Sequence, residues 1–185
     1  MNMIKTSISH PLRIDEVNIP NGTGIIGMTL CPGKKINSAL SGPWNRDLDM
    51  DLQAIQEWGA RALVNLMEEH EYDLLQIPDY PKKVCFYPME YFHLPIVDGY
   101  PPDKRFTTLW ESAGPKLRQI LMEGGKILLH CRGGLGRTGM VAAQLLVEMG
   151  MPQKEAIHAV RKARNGTIET IDQEKYVLQC RPVHS

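Results

Sequence analysis

Apolar positions along the chain change their period several times, and each change marks an element. Gly24 to Leu30, Ala62 to Leu66 and Tyr91 to Ile96 are apolar runs of strand length, and Ile127-Leu128-Leu129 is a fourth. Between them the spacing turns helical. Leu48, Leu52 and Ile55 recur on one face behind Asn45 or Asp47, either of which can cap, and Gly59 closes that helix. Glu68 to Leu75 predicts a short helix and Pro78 to Pro88 a further helical segment. From Arg105 to Glu123, Phe106, Leu109, Trp110, Ala113, Leu117, Ile120 and Leu121 share one face, and Pro115 is expected to bend the helix. Met140 to Met149 is apolar nearly all round, as a central helix is. Gly150 and Pro152 separate it from a helix burying Ala156, Ile157, Val160 and Ala163, and Ile171 to Cys180 forms the last. Helices alternating with short strands predict an α/β fold, a single domain with a central, mainly parallel sheet flanked by helices.

The 185 residues suit one such domain, here 23–185, behind an N-terminal arm of residues 1–22. Lysines and arginines number 21 and so do the acids, so nothing global points to nucleic acid. Cys31, Cys85, Cys131 and Cys180 are scattered, which argues against a disulfide scaffold and a zinc site. Met1 to Val17 holds no signal-peptide core, and Met140 to Met149, broken by Gln144 and Glu148, is too short to span a membrane. A cytoplasmic, monomeric protein is expected. The acids from Glu68 to Leu75 read as a solvated face rather than a metal site. Lys154, Arg161, Lys162 and Arg164 likewise read as solvent-facing, the alternative being a docking patch for a phosphoprotein.

Chemistry concentrates between Lys126 and Gly139. There an apolar strand runs into a loop with Gly133, Gly134 and Gly136, and the loop runs into a helix. Such a loop turns successive N–H groups into one concavity, to which the helix start adds unpaired donors and its positive dipole end. A phosphate fits there. Arg137 supplies a planar fork for two of its oxygens, and the same surroundings favour a thiolate on Cys131. Displacing a phosphate ester also requires a proton for the leaving oxygen. Asp98, 33 residues before Cys131 in a turn-rich segment after a predicted strand, is the candidate general acid. Asp103 competes for that role, although it also suits the cap of the helix from Arg105.

His130-Cys131-Arg132-Gly133-Gly134-Leu135-Gly136-Arg137-Thr138 resembles the His-Cys-x5-Arg-Ser/Thr signature of cysteine-dependent protein tyrosine and dual-specificity phosphatases. The resemblance covers most of the chain. Pro95-Ile96-Val97-Asp98-Gly99 and Thr167-Ile168-Glu169-Thr170-Ile171-Asp172-Gln173 are similar to the kinase-associated phosphatase branch of the dual-specificity group. The resemblance implies a metal- and cofactor-independent phosphatase of phosphorylated proteins or peptides, with phosphate held by Arg132, Gly133, Gly134, Leu135, Gly136 and Arg137. It implies Cys131 as nucleophile and Asp98 as acid and then base. Thr138 would assist the departing thiolate, Gln173 would match the water-orienting glutamine, and His130 would shape the loop. Arg132 departs from the branch. It either favours a more highly charged substrate, such as an inositol phosphate or multiply phosphorylated peptide, or forms a surface ion pair. The remaining alternatives are a binding-only pseudophosphatase, an enzyme for 5′-phosphorylated RNA, and a redox role pairing Cys131 with Cys85.

Overall fold

A computed structural model describes residues 3–183. Strand β7 (Lys126–His130) is its axis. Ile127 to His130 are all buried, because helices cover both faces of this strand, as befits a continuous apolar run in a parallel sheet. On one side β7 pairs in parallel with β2 (Ile25–Thr29), and on the other with β5 (Ala60–Asn65), which pairs in parallel with β6 (Glu90–His93). The segment Asp15–Asn18 of the N-terminal arm forms β1, an antiparallel edge beside β2, giving the order β1-β2-β7-β5-β6. The outermost residues of the expected arm and domain, 1–2 and 184–185, lie outside the described residues.

Helix α5 (Gly136–Glu148) is buried over all its residues, and α4 (Lys104–Met122), α6 (Gln153–Ala163) and α7 (Ile171–Gln179) share one core with it. The opposite face is packed by α1 (Leu48–Trp58), α2 (His70–Leu74) and α3 (Tyr80–Val84). Asp47 caps α1 by accepting from Met50 N–H, and Gly59 closes it at φ +92°. Asp103 caps α4 by accepting from Phe106 N–H, so the capping reading of this residue holds. The helix continues through Pro115, and Leu109, placed above on its apolar face, is 37% exposed. The run from Tyr91 forms a shorter strand than its apolar character suggests. After His93 only single bonds from Leu94 N–H to Asn65 O and from Ile96 N–H to Leu66 O continue the pairing, because Pro95 lacks a donor.

A two-stranded hairpin, β3 (Lys35–Ile36) with β4 (Trp44–Asn45), lies outside the main sheet. Buried Arg46 ties its end to α1 through two bonds to Asp51, at 2.7 and 2.8 Å, and Asp51 also accepts from Gly33 N–H. The C-terminal ends of β7, β5 and β6 open on one side of the sheet, where open α/β folds bind ligands.

Candidate active site

The loop after β7 turns its carbonyls outward. Arg132 O accepts from Cys31 N–H, Gly133 O and Gly134 O accept from the Arg164 guanidinium, and Leu135 O accepts from Ile168 N–H. Arg164 also pairs with Asp15 at 2.7 Å, so it clamps the loop and the edge strand. The expectation that Arg164 faces solvent is therefore corrected: it lies one residue past α6, where helical periodicity no longer governs its direction. Arg161, within α6, stays partly exposed to solvent while donating to Thr167 O, Ile168 O and Glu174.

With the carbonyls engaged, the amides point inward. Gly134 N–H donates to Cys131 Sγ at 3.3 Å, and the N–H groups of Arg132, Gly133, Leu135, Gly136 and Arg137 meet no acceptor among the described residues. Gly134 adopts φ +71°, and a Cβ there would sit 2.2 Å from Thr29 O. Only glycine closes this turn. Cys131 is 3% exposed at the floor of the concavity.

Arg137 is held from behind. Its Nη1 donates to Glu71 Oε2 at 2.6 Å and Ile96 O at 3.0 Å, and its Nη2 to Glu71 Oε1 at 2.9 Å. Burial alone would lift the Glu71 carboxyl, but the Arg137 fork and charge hold it below its ordinary value. Glu71 therefore departs from the solvated face expected of its segment: α2 turns this one acid inward, where Arg137 compensates it. The Arg137 Nε is buried without a partner, as are Thr138 Oγ1 and Gln173 Nε2. Each is a buried polar atom that needs a polar partner, and an anion or water in the loop fits all three.

Gln173 is fully buried, not a surface residue. Its Oε1 accepts from Glu169 and Thr170 N–H, completing a capping box with Thr170 at the start of α7. Thr170 Oγ1 donates to Gly99 O, joining this turn to the Asp98 segment. Ile168, buried and β-branched, sits at φ +60°, a strained position that places Glu169 against the loop. A Cβ on Gly136 would come within 2.4 Å of Glu169 Oε2 and 3.0 Å of Gln173 Nε2. Glu169 is thus a second carboxylate at the rim. Only packing reveals it.

Asp98 lies over the concavity. One oxygen is 3.1 Å from Arg137 Nη2, and the other accepts from Arg132. Arg132, half-exposed, forms an ion pair with Asp98. Asp103, at the α4 cap, is separate from this group. Cys85 is an exposed thiol on the α3 side, donating to Pro81 O.

Behind the nucleophile, His130 is fully buried and shares a hydrogen bond with the Tyr80 hydroxyl. Burial pushes its pKa down to about 3 from 6.5. A histidine depressed in the folded state binds its proton less readily than in the unfolded chain. Its stabilising contribution is complete above pH 6.5 and is lost as pH falls towards 3. Melting temperature is expected to decline across that window, with a shallower decline in His130→Asn. Equal slopes would show that other groups dominate.

This geometry can be set beside known proteins. A family model described as Swiss Army Knife protein, DSP-PTPase phosphatase domain, matches residues 38–177. Cyclin-dependent kinase inhibitor 3 of Rattus norvegicus is 29% identical over 164 residues, covering 87% of this chain and 74% of the relative. Protein tyrosine phosphatase type IVA 3 of Homo sapiens is 29% identical over 140 residues, covering 76% and 75%. A solved structure of kinase associated phosphatase, with serine replacing its catalytic site cysteine, superposes at TM-score 0.79 with 26% identity, covering 90% of this chain and 92% of that one. No helix among the described residues is long and apolar enough to cross a membrane.

Proposed function

The chain belongs to the DSP-PTPase family of phosphatases, and from that premise we propose that it hydrolyses phosphotyrosine, and phosphoserine or phosphothreonine, in proteins through a phosphocysteine on Cys131. The observation that carries this reading is the loop round the buried Cys131 thiol: its carbonyls are engaged from outside, its amides meet no acceptor among the described residues apart from Gly134 N–H on Sγ, and Asp98 pairs with Arg137 at 3.1 Å. A neutral or purely structural loop has no use for such free amides.

In the first step Cys131 sulfur attacks phosphorus, the ester P–O bond breaks, and Asp98 gives the leaving oxygen its proton. Loop amides and Arg137 hold the equatorial oxygens, whose charge grows in the transition state. The arriving phosphate competes with Asp98 for Arg137 and Arg132, freeing the Asp98 carboxyl for the leaving group. In the second step water attacks phosphorus, the P–S bond breaks, and Cys131 leaves as thiolate while Asp98 takes the proton. Thr138 steadies that thiolate, and Gln173 orients the water. Arg132, Gly133, Gly134, Leu135 and Gly136 complete the phosphate-binding loop, and no metal or cofactor enters either step. The domain of residues 23–185 takes in strand β1 from the 1–22 arm, whose Val17 and Ile19 join its core, and acts as a monomer in the cytoplasm.

Asp98→Asn is expected to lower kcat by roughly 10²–10³ for alkyl phosphates and phosphoserine, whose leaving oxygens need the proton. Nitrophenyl phosphate, with a good leaving group, should lose far less. A series of aryl and alkyl phosphates measured with chelator present checks this. Equal losses across the series would remove Asp98 as acid and turn attention to Glu169. Phosphopeptide binding without turnover would favour the pseudophosphatase.

A further inference from the structure

A cavity of about 610 Å³ opens beside the phosphate loop, and Arg132, Gly133 and Leu135 belong to both. Lys34 lines it as well, and this lysine is unusual. The residue is 5% exposed and meets no carboxylate among the described residues; the groups that favour its charge are the Cys31 and Cys131 thiols, opposed by Arg132 and Arg46. Its Nζ has Arg132 O at 3.5 Å, the long limit of a hydrogen bond, and the face of Trp44 at 5.1 Å. Burying an ammonium with so little compensation is costly unless an anion completes the site. Burial accordingly pulls its pKa below the ordinary lysine value.

The rest of the lining sharpens the chemistry. Arg132 and Arg164 add positive charge, and no acid lines the cavity, although the whole chain is neutral. Arg164 is occupied by Asp15 and the loop carbonyls, so Lys34 is the cation left over. Between the cations the wall is apolar, with Leu74 half-exposed and Leu40 fully exposed. A polyol such as an inositol phosphate would leave hydroxyls unpaired against that wall. A peptide presents an anionic side chain and an apolar one side by side.

Resting on the phosphatase reading above, we propose that this cavity is a second anion subsite that reads an acidic residue flanking the phosphorylated residue of a peptide, with Lys34 as its cation and Leu40 and Leu74 as its apolar shelf. The enzyme is then selective for acidic phosphopeptides. The flanking carboxylate meets Lys34 while the phosphate occupies the loop, so both charges of the substrate are matched at adjoining positions.

The test compares two phosphotyrosine peptides that differ only in carrying glutamate or glutamine on both sides of the phosphotyrosine, with nitrophenyl phosphate as control. Wild-type protein is expected to prefer the glutamate peptide by about tenfold in kcat/KM, the worth of one charge-assisted hydrogen bond. Lys34→Met should bring the ratio near one and Lys34→Arg should retain it, each ratio being taken within one variant and its rate referred to that variant's own turnover of nitrophenyl phosphate. Leu40→Ser, at a fully exposed position that carries no folding load, should raise KM about fivefold for a peptide with leucine beside the glutamate and not for its alanine counterpart. No preference in wild type, a preference that survives Lys34→Met, or a stronger Lys34 dependence for an inositol bisphosphate than for the glutamate peptide would each overturn the proposal. Failure of wild type to hydrolyse nitrophenyl phosphate would instead sink the phosphatase reading, and the subsite with it.

Discussion

Cys131→Ser is expected to lower turnover by about 10⁵- to 10⁶-fold while leaving phosphopeptide affinity within severalfold of wild type. The size follows from what is removed. Without the sulfur no P–S bond forms, and a serine hydroxyl in the same place has no base beside it, since His130 is behind the loop and engaged with Tyr80. The cradle survives because its shape does not depend on sulfur. Among the described residues Gly134 N–H is the single donor to Sγ, and the loop carbonyls are anchored by Arg164, Ile168 and Cys31. Steady-state rates with nitrophenyl phosphate and calorimetric titration with a phosphotyrosine peptide check both halves. Residual turnover above one per cent would mean that another nucleophile acts. Loss of binding together with turnover would mean that sulfur organises the loop.

Glu71→Ala is expected to cost both stability and rate, through one cause. Arg137 has no exposed side-chain surface, and Glu71 supplies both oxygens that face its fork. Removing the carboxylate leaves the buried guanidinium with only the half-exposed Asp98 and the Ile96 carbonyl as partners, at a cost of up to about 3–5 kcal/mol. The freed arginine also loses the orientation that presents Nε to the cradle, and loss of one such positioned donor typically lowers kcat about 10²- to 10³-fold. Glu71→Gln keeps the shape and one acceptor, so its effects should be smaller in both measurements. Urea unfolding and kcat for the two variants check this. A Glu71→Ala protein as stable as wild type would show that water, not Glu71, compensates Arg137.

What was legible in the chain, and what was not, divides by range. The strand, the loop and the start of α5 follow from neighbouring residues, because a tight turn, an anion cradle and a helix start are local requirements. Asp98 meets Arg137 at 3.1 Å, two residues far apart in the chain that the spacing and the family resemblance single out together, and Asp47, Gly59 and Asp103 behave as caps. Glu71 escaped because a glutamate among acids looks solvated until the fold turns α2 towards Arg137. Arg164 escaped for a related reason: it follows the last regular turn of α6, so periodicity cannot say that it clamps Gly133 and Gly134. Glu169 is brought to the rim by the strained backbone of Ile168, which no propensity announces. The β3–β4 hairpin, two residues per strand, is too short to show a period, and it is held by the Arg46–Asp51 pair across the chain.

If phosphate passes through Cys131, the sulfur must carry it covalently between the two steps. The most direct measurement is a rapid-quench reaction of the wild-type protein with a ³²P-labelled aryl phosphate at acidic to neutral pH, followed by peptide mapping. A burst of phenol stoichiometric with enzyme is expected, with label on the peptide containing Cys131 that is absent from Cys131→Ser. Steady turnover with neither burst nor label, under conditions where hydrolysis of the second bond is slowed by Asp98→Asn, would contradict it.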